Sequence, residues 1–225
     1  MIRVIVPTMW KYMPFWDMAR YILKMDVVEE FIIIDNDPKN NPKLDYFTDP
    51  KIKFISFNEN IFVNPAWNCG AWNSKAEVLC YICDDVIFDL KVLYLANEFV
   101  TKDMGGLFMT EHLIKDDKVP VTTGNIEFTP YTGQSTYGYG VLFFIHKDNW
   151  IDIPEELLIC YGDNFVFDQC EYRNLQNYMI DNLFHYHAGA QTSGINGISA
   201  KFYPRERQYY ETKVLPKLMN RDFNF

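Results

Sequence analysis

The sequence predicts an α/β fold: one domain on a mostly parallel central sheet flanked by helices. Three observations carry this expectation. Strand and helix signals alternate through residues 1–100. The strands are continuously apolar, as a sheet covered on both faces requires. Thr8, Asp35 and the pair Asp84–Asp85 each stand at the carboxyl end of such a strand, which is where open α/β sheets bind ligands.

Taken in order, "RVIVP" gives the first strand, ended by Pro7. "PFWDMARYILKM" has apolar residues at helical spacing and Pro14 in its first turn. "EFIIID" is a second buried strand, closed by the polar run "NDPKNNPK". "KIKFISF" is a third, followed by the loop "NENIFVNP", a helix from about Pro65 to Lys75 and the strand "EVLCYIC". Further on come a helix, "LKVLYLANEFVTK", and a strand, "MGGLFMT". The turn-rich "DDKVPVTTGNIEFTPYTGQSTYGYG" suits a substrate loop. "VLFFIHKDNW" reads as strand then turn. Pro154, Glu155 and Glu156 have the chemistry of a helix N-terminus, with the helical run breaking near Gly162. "NYMIDNLFHYHAG" reads as an edge strand bearing two histidines, and "PRERQYYETKVLPKLM" as a charged terminal helix interrupted by Pro216.

Composition narrows the function. A chain of 225 residues with 48% apolar content sustains a sizeable core. Aromatics at 17%, with 18 Phe and 15 Tyr, fit a packed domain with an aromatic-lined cleft. A net charge of -9 argues against duplex DNA as a partner held by a basic stripe. No apolar run approaches the ~20 residues of a membrane span, and the first residues lack the pattern of a secretory signal. The five cysteines, an odd number, are therefore expected to be reduced core residues of a cytoplasmic protein, in the host cytoplasm if the source is viral. Cys80 and Cys83 lie in an apolar strand with no second pair, which favours packing over zinc.

The segment "NCGAWNSKAEVLCYICDDV", residues 68–86, is the most specific. Asn68 and Gly70, the turn at Ala76–Glu77, the strand "VLCYI" and the triplet Cys83–Asp84–Asp85 follow in sequence. This order resembles the nucleotide-sugar signature of GT-A fold glycosyltransferases, in particular the inverting family 2 group. The compact chain is also similar to the forms encoded by large viruses and phages. "VIVPT" and "IIIDN" resemble the family's first two strands, "YGDNFVFDQC" the segment of the catalytic base, and "HYHAG" the strand with a metal-binding His. Two positions depart from the pattern: Cys83 replaces the first acid of a DxD motif, and Gly162–Asp163–Asn164 replaces Gly–Glu–Asp.

The resemblance implies a GT-A (Rossmann-like) single domain over residues 1–225, with a small acceptor-side subsheet. Residues 1–100 would form the nucleotide-sugar half, 101–200 the acceptor half and 201–225 a terminal helix. It implies transfer of a sugar from a nucleoside diphosphate, a UDP-sugar foremost, to a hydroxyl on a glycan, a protein or a hydroxymethylated nucleobase. Mn2+ or Mg2+ would bridge the phosphates, held by Asp85 with His187 or His185; the small residues after His187 favour it. Pro7, Thr8, Asp35, Asn68, Gly70, Asp84 and Gly140 would contact the donor. Gly138 would let backbone approach its sugar, and Tyr137, Tyr139 and Trp150 would stack on sugar faces. Asp163 would be the general base, with Asp168 in reserve.

Plainer roles exist for the same residues. Adjacent aspartates after a strand often form a solvated turn, Asp35 suits an Asx-turn, and Asp163 suits a helix cap. Cys83 and Asn164, where the family has acids, leave open a non-catalytic module that binds a nucleotide sugar or glycan. A nucleotidyltransferase ranks lower, because "PTMWKYMP" lacks a glycine-rich phosphate loop.

Overall fold

The computed structural model describes residues 1–109, 125–133, 139–189 and 197–225. Its strands are β1 (Ile2–Thr8), β2 (Val28–Asp35), β3 (Ile52–Ser56), β4 (Val78–Ile82), β5 (Val86–Phe88), β6 (Leu107–Met109), β7 (Glu127–Pro130), β8 (Leu142–His146), β9 (Tyr178–Asp181) and β10 (His185–His187). Its α-helices are α1 (Met13–Ile22), α2 (Val63–Ala71), α3 (Lys91–Phe99), α4 (Gly162–Tyr172), α5 (Ile198–Tyr209) and α6 (Leu215–Met219). Among the described residues, eight strands form one sheet in the order β3-β2-β1-β4-β8-β6-β9-β7, and β10 pairs with β5 in a second. Parallel ladders join β1 to β2 and β4, β2 to β3, and β6 to β9. Only β7 and β8 run against the rest. The mostly parallel sheet with a small satellite sheet is the expected architecture.

Alternation of side chains explains why the central strands are apolar at nearly every position. Val4 and Val6 of β1, with Cys80 and Ile82 of β4, face a core that includes Phe15 and Ile22 of α1 and Val92 of α3. Ile5 of β1, with Leu79 and Tyr81 of β4, faces a second core with Trp67 of α2 and Phe165 of α4. Helix α2 lies close on the sheet because Gly70 has no side chain: a Cβ there would sit 2.3 Å from Ile5 Cγ2. The end of α2 is closed by the buried Arg3. Its guanidinium donates to the carbonyls of Gly70, Trp72 and Asn73 (3.0, 2.7 and 3.0 Å) and to the Glu30 carboxylate (2.6 Å).

Several expectations are corrected. No helix begins at Pro154; residues 154–161 are irregular and α4 starts only at Gly162. The amides of Leu158, Ile159 and Cys160, which a helix would spend on its own carbonyls, donate instead to the Glu206 carboxylate of α5. "NYMIDNLFHYHAG" is two strands in two sheets, divided at Asn182, whose φ of 58° breaks the extended run. Of these, β9 lies inside the large sheet between β6 and β7. The terminal helix begins earlier than expected, at Ile198, and runs through Pro204. Ahead of Pro216, which has no N–H to donate, the helix widens into a π-helical stretch over Tyr210–Val214. None of the five cysteines forms a disulfide; Cys80 and Cys170 are in the core, whereas Cys69, Cys83 and Cys160 are half-buried. Among the described residues no helix is long and apolar enough to cross a membrane. Most of the turn-rich segment, with Tyr137 and Gly138, lies outside the described residues.

Candidate active site

The site forms at the carboxyl ends of β1 and β4. After Ile82 the chain turns through residues 83–85 into β5. The Thr8 hydroxyl, at the end of β1, donates to Asp84 Oδ2 at 2.5 Å and accepts from the Trp10 amide at 2.9 Å. Burial pushes the Asp84 carboxyl up to about 6 against the pull of the Thr8 hydrogen bond, and the neighbouring Asp85 charge adds to the rise. The buried Asp85 is met from β10. His187 Nε2 lies 3.1 Å from Asp85 Oδ1, and the Ala188 amide donates to the Asp85 carbonyl at 2.9 Å. The β5–β10 register pairs His187 with Val86, beside Asp85, and His185 with Phe88 at the far end. His187, of the two histidines, therefore adjoins the carboxylate. His185 is buried, its Nδ1 3.0 Å from the Leu183 carbonyl.

A glycine ties this turn to α4. The Cys83 thiol donates to the Gly140 carbonyl at 3.2 Å, and the Gly140 amide donates to Asp163 Oδ2 at 3.2 Å. A Cβ on Gly140 would lie 3.0 Å from the Trp67 ring and 3.4 Å from Asp163 Oδ2, so a side chain there would press on the ring. Asp163, in the first turn of α4, also takes the Asn164 amide on Oδ1 at 3.0 Å. Burial raises its proton affinity against the lowering by these amides. Asp168 lies further along α4 and accepts the Tyr210 hydroxyl on Oδ2 at 2.5 Å. Its carboxyl is raised by burial, opposed by the Tyr210 hydroxyl and assisted by the Asp163 charge.

The structure therefore joins Thr8, Asp84, Asp85, His187, Gly140, Asp163 and Asp168 at one end of the sheet. Other expected site residues have structural partners. Asp35 forms the Asx-turn named above: Oδ1 takes the Asp37 amide (3.1 Å) and Trp10 Nε1 (2.7 Å), and Oδ2 takes Asn41 Nδ2 (3.0 Å). Asn68 clips the segment after β8, donating to the Ile153 carbonyl and accepting the Ile153 amide, each at 2.9 Å. Gly70 packs on Ile5, and Pro7 stays within β1, paired with Ile34. Tyr139 stacks on Phe167 and Trp150 on Tyr81, at 4.7 Å each, so both rings belong to the packing of this layer.

No protein-family model matches the sequence, and no curated protein matches it. Solved structures do. Structure comparison pairs 96% of this chain with 76% of S. aureus TarS 1-349 at a TM-score of 0.62 and 17% identity. TarS 1-349 in complex with UDP-GlcNAc matches over 79% of this chain and 57% of its own, at 0.57 and 17% identity. The mannosyltransferase PcManGT from Pyrobaculum calidifontis, in complex with GDP-Man and Mn2+, matches over 78% and 53%, at 0.52 and 10% identity. The chain shares their fold. At these identities the likeness speaks for architecture, and it meets the GT-A expectation drawn from residues 68–86 at that level.

Whether a divalent ion fits depends on the side chains present. Among the described residues no three His, Cys, Asp or Glu groups converge on one point. Asp85 and His187 offer one carboxylate and one imidazole, donors that suit Mn2+ when diphosphate oxygens and water complete its shell. Burial first, and the Asp85 charge after it, raise the neighbouring Asp84 carboxyl, and a cation at Asp85 would offset the second of these.

Asn68 gives a clean separation of structure from binding. Asn68→Ala removes both bonds to Ile153, and a loss of about 1–3 kcal/mol in unfolding free energy is expected. Nucleotide affinity per folded molecule should be unchanged; a selective loss of affinity in isothermal titration would return Asn68 to the binding site.

Sequence reasoning missed Glu206 and Tyr210, both on the terminal helical segment. The signal was present. Tyr203, Glu206 and Tyr210 recur at helical spacing, but in a run rich in Arg, Glu and Lys that reads as a solvated helix.

Proposed function

We propose that the chain transfers a sugar from a nucleoside-diphosphate donor to an acceptor hydroxyl, with a divalent ion at Asp85 and His187 and with Asp163 as general base. The observation that carries this reading is the Cys83–Gly140–Asp163 connection. It sets a half-buried carboxylate of raised proton affinity beside the acidic turn at the end of β4. The fold shared with a protein solved with UDP-GlcNAc, and with a mannosyltransferase solved with GDP-Man and Mn2+, supports it.

In this reading the Thr8–Asp84 hydrogen bond fixes the turn so that Asp85 is presented to the donor. A bound ion there would act as a Lewis acid toward the charge that develops on the diphosphate. Asp163, oriented by the Gly140 and Asn164 amides, takes the proton of the acceptor hydroxyl. The acceptor oxygen then forms its bond to the anomeric carbon as the bond to the diphosphate breaks on the opposite face, which inverts that carbon. Asp168, whose Oδ2 is engaged by the Tyr210 hydroxyl, stays the second candidate for this task. With a net charge of -9, a glycan or protein hydroxyl is a better acceptor than one on DNA.

Thermal unfolding with UDP, GDP, UDP-GlcNAc and GDP-Man, each with Mn2+ or with a chelator, tests the reading. A nucleotide at a hundredfold its dissociation constant stabilises by about 2.7 kcal/mol, and a shift that needs Mn2+ is expected for one base. Absence of any shift under all conditions would overturn the proposal.

A further inference from the structure

We infer that Glu206 is a positioning residue: through the loop before α4 it holds Asp163 where the acceptor proton is taken. This rests on the proposed role of Asp163. Glu206 is fully buried, at 0% exposure, on α5. Its Oε1 accepts the Leu158 amide at 3.0 Å, and its Oε2 accepts those of Ile159 and Cys160 at 3.1 and 2.6 Å. Three consecutive amides converging on one carboxylate make an anion nest, with the anion supplied by the chain itself.

The same loop is pinned on its carbonyl side. Asn64 Nδ2 donates to the Leu157 and Cys160 carbonyls at 3.1 and 3.2 Å. Tyr161 follows with φ of 62°, a left-handed conformation that a non-glycine residue holds only when its surroundings enforce it. Its ring lies between Tyr210 (5.0 Å) and Tyr203 (5.7 Å). Gly162 then passes so close to Asn64 that a Cβ would lie 2.1 Å from Oδ1. Two residues after Tyr161 comes Asp163. One face of the terminal helical segment, carrying Tyr203, Glu206 and Tyr210, thus grips the loop and touches Asp168. Neither Glu206 nor the loop it holds supplies a group to the reaction itself.

Glu206→Gln in the full chain keeps size and shape but puts an NH2 against at least one of the inward-pointing amides, leaving that donor without an acceptor. Three quantities are compared with wild type: Mn2+-dependent binding of UDP and GDP; kcat against pH for release of nucleoside diphosphate from UDP-GlcNAc and GDP-Man; and amide exchange of residues 158–164. The expected result is nucleotide affinity within twofold, kcat down at least tenfold with a displaced acid limb, and faster exchange confined to 158–164. A variant that equals wild type in kcat and pH profile overturns the inference and leaves the transferase reading standing. So does one whose binding and turnover fall in parallel with an unchanged pH profile, since that is simple loss of folded protein. If wild type releases no nucleoside diphosphate from either donor, the transferase reading fails, and Glu206 loses its catalytic meaning. Exchange then tests the grip alone, and unprotected amides at 158–160 in wild type refute it without any variant.

Discussion

Asp163→Asn is expected to lower sugar transfer by about 10²–10⁴-fold, the span associated with losing a positioned general base. Mn2+-dependent nucleotide binding should be unchanged, because Asp163 lies on α4 and takes its hydrogen bonds from Gly140 and Asn164. The pH dependence of wild type follows from the same group. Burial raises the Asp163 pKa, so the ionised form that can accept a proton is lost at a higher pH than for an ordinary carboxylate. Turnover should therefore fall on acidification through a limb lying above that of an ordinary carboxylate, and the variant should lack that limb. Stability moves the other way. A folded-state pKa above the unfolded value means that the folded chain binds this proton more tightly, so the group favours folding at low pH. That contribution is lost as pH rises through the folded pKa. Asparagine stays neutral throughout, which offsets the roughly 1 kcal/mol of one weakened amide contact. Its melting temperature near neutrality should thus stay close to that of wild type. Wild-type turnover in Asp163→Asn would remove Asp163 from the reaction and pass the role to Asp168.

The parts of this molecule that could be read from sequence are those where one segment carries its own reason. Residues 4–6 of β1, 31–34 of β2 and 78–82 of β4 are apolar throughout because each side of the sheet has its own core. That burial is written locally, residue by residue. Asp35 shows the limit. Its place at a strand end pointed equally to a ligand and to a turn, and it is the Asp37 amide, Trp10 and Asn41 arriving on its oxygens that give it a structural task. Partnerships across long separations leave no local trace: Thr8 with Asp84, Asp85 with His187, Cys83 with Gly140. Thr8, Asp84 and Asp85 were marked by their places at strand ends, and His187 with Asp85 as metal ligands through the resemblance; the bond from Thr8 to Asp84 was not foreseen. Nor was Glu206, since nothing in "PRERQYYETK" says that one glutamate of a charged helix is wholly buried. The misplaced helix at Pro154 has the same origin, because the amides that would have built it belong to that glutamate.

Asp85→Ala is expected to remove the metal-dependent part of nucleotide binding. With only Asp85 and His187 brought together among the described residues, the alanine deletes one of two protein ligands, and the anionic one. A hundredfold loss of affinity, at a nucleotide concentration a hundredfold above the wild-type dissociation constant, reduces the stabilisation from about 2.7 to about 0.4 kcal/mol. The quantity to read is the increment in melting temperature on adding nucleotide and Mn2+. The baseline will shift too, since His187 loses the carboxylate at 3.1 Å. His187→Ala should shrink the increment less, because a neutral imidazole contributes less than a carboxylate to holding a hard cation and its phosphates. His185→Ala provides the contrast. That ring is buried at the far end of β10 and bonded to the Leu183 carbonyl, so its loss should lower the baseline while leaving the increment intact. The two histidines are thereby separated by a measurement that needs no acceptor. An undiminished increment in Asp85→Ala would mean that the ion is held elsewhere, and the two aspartates after β4 would return to the plainer role of a turn.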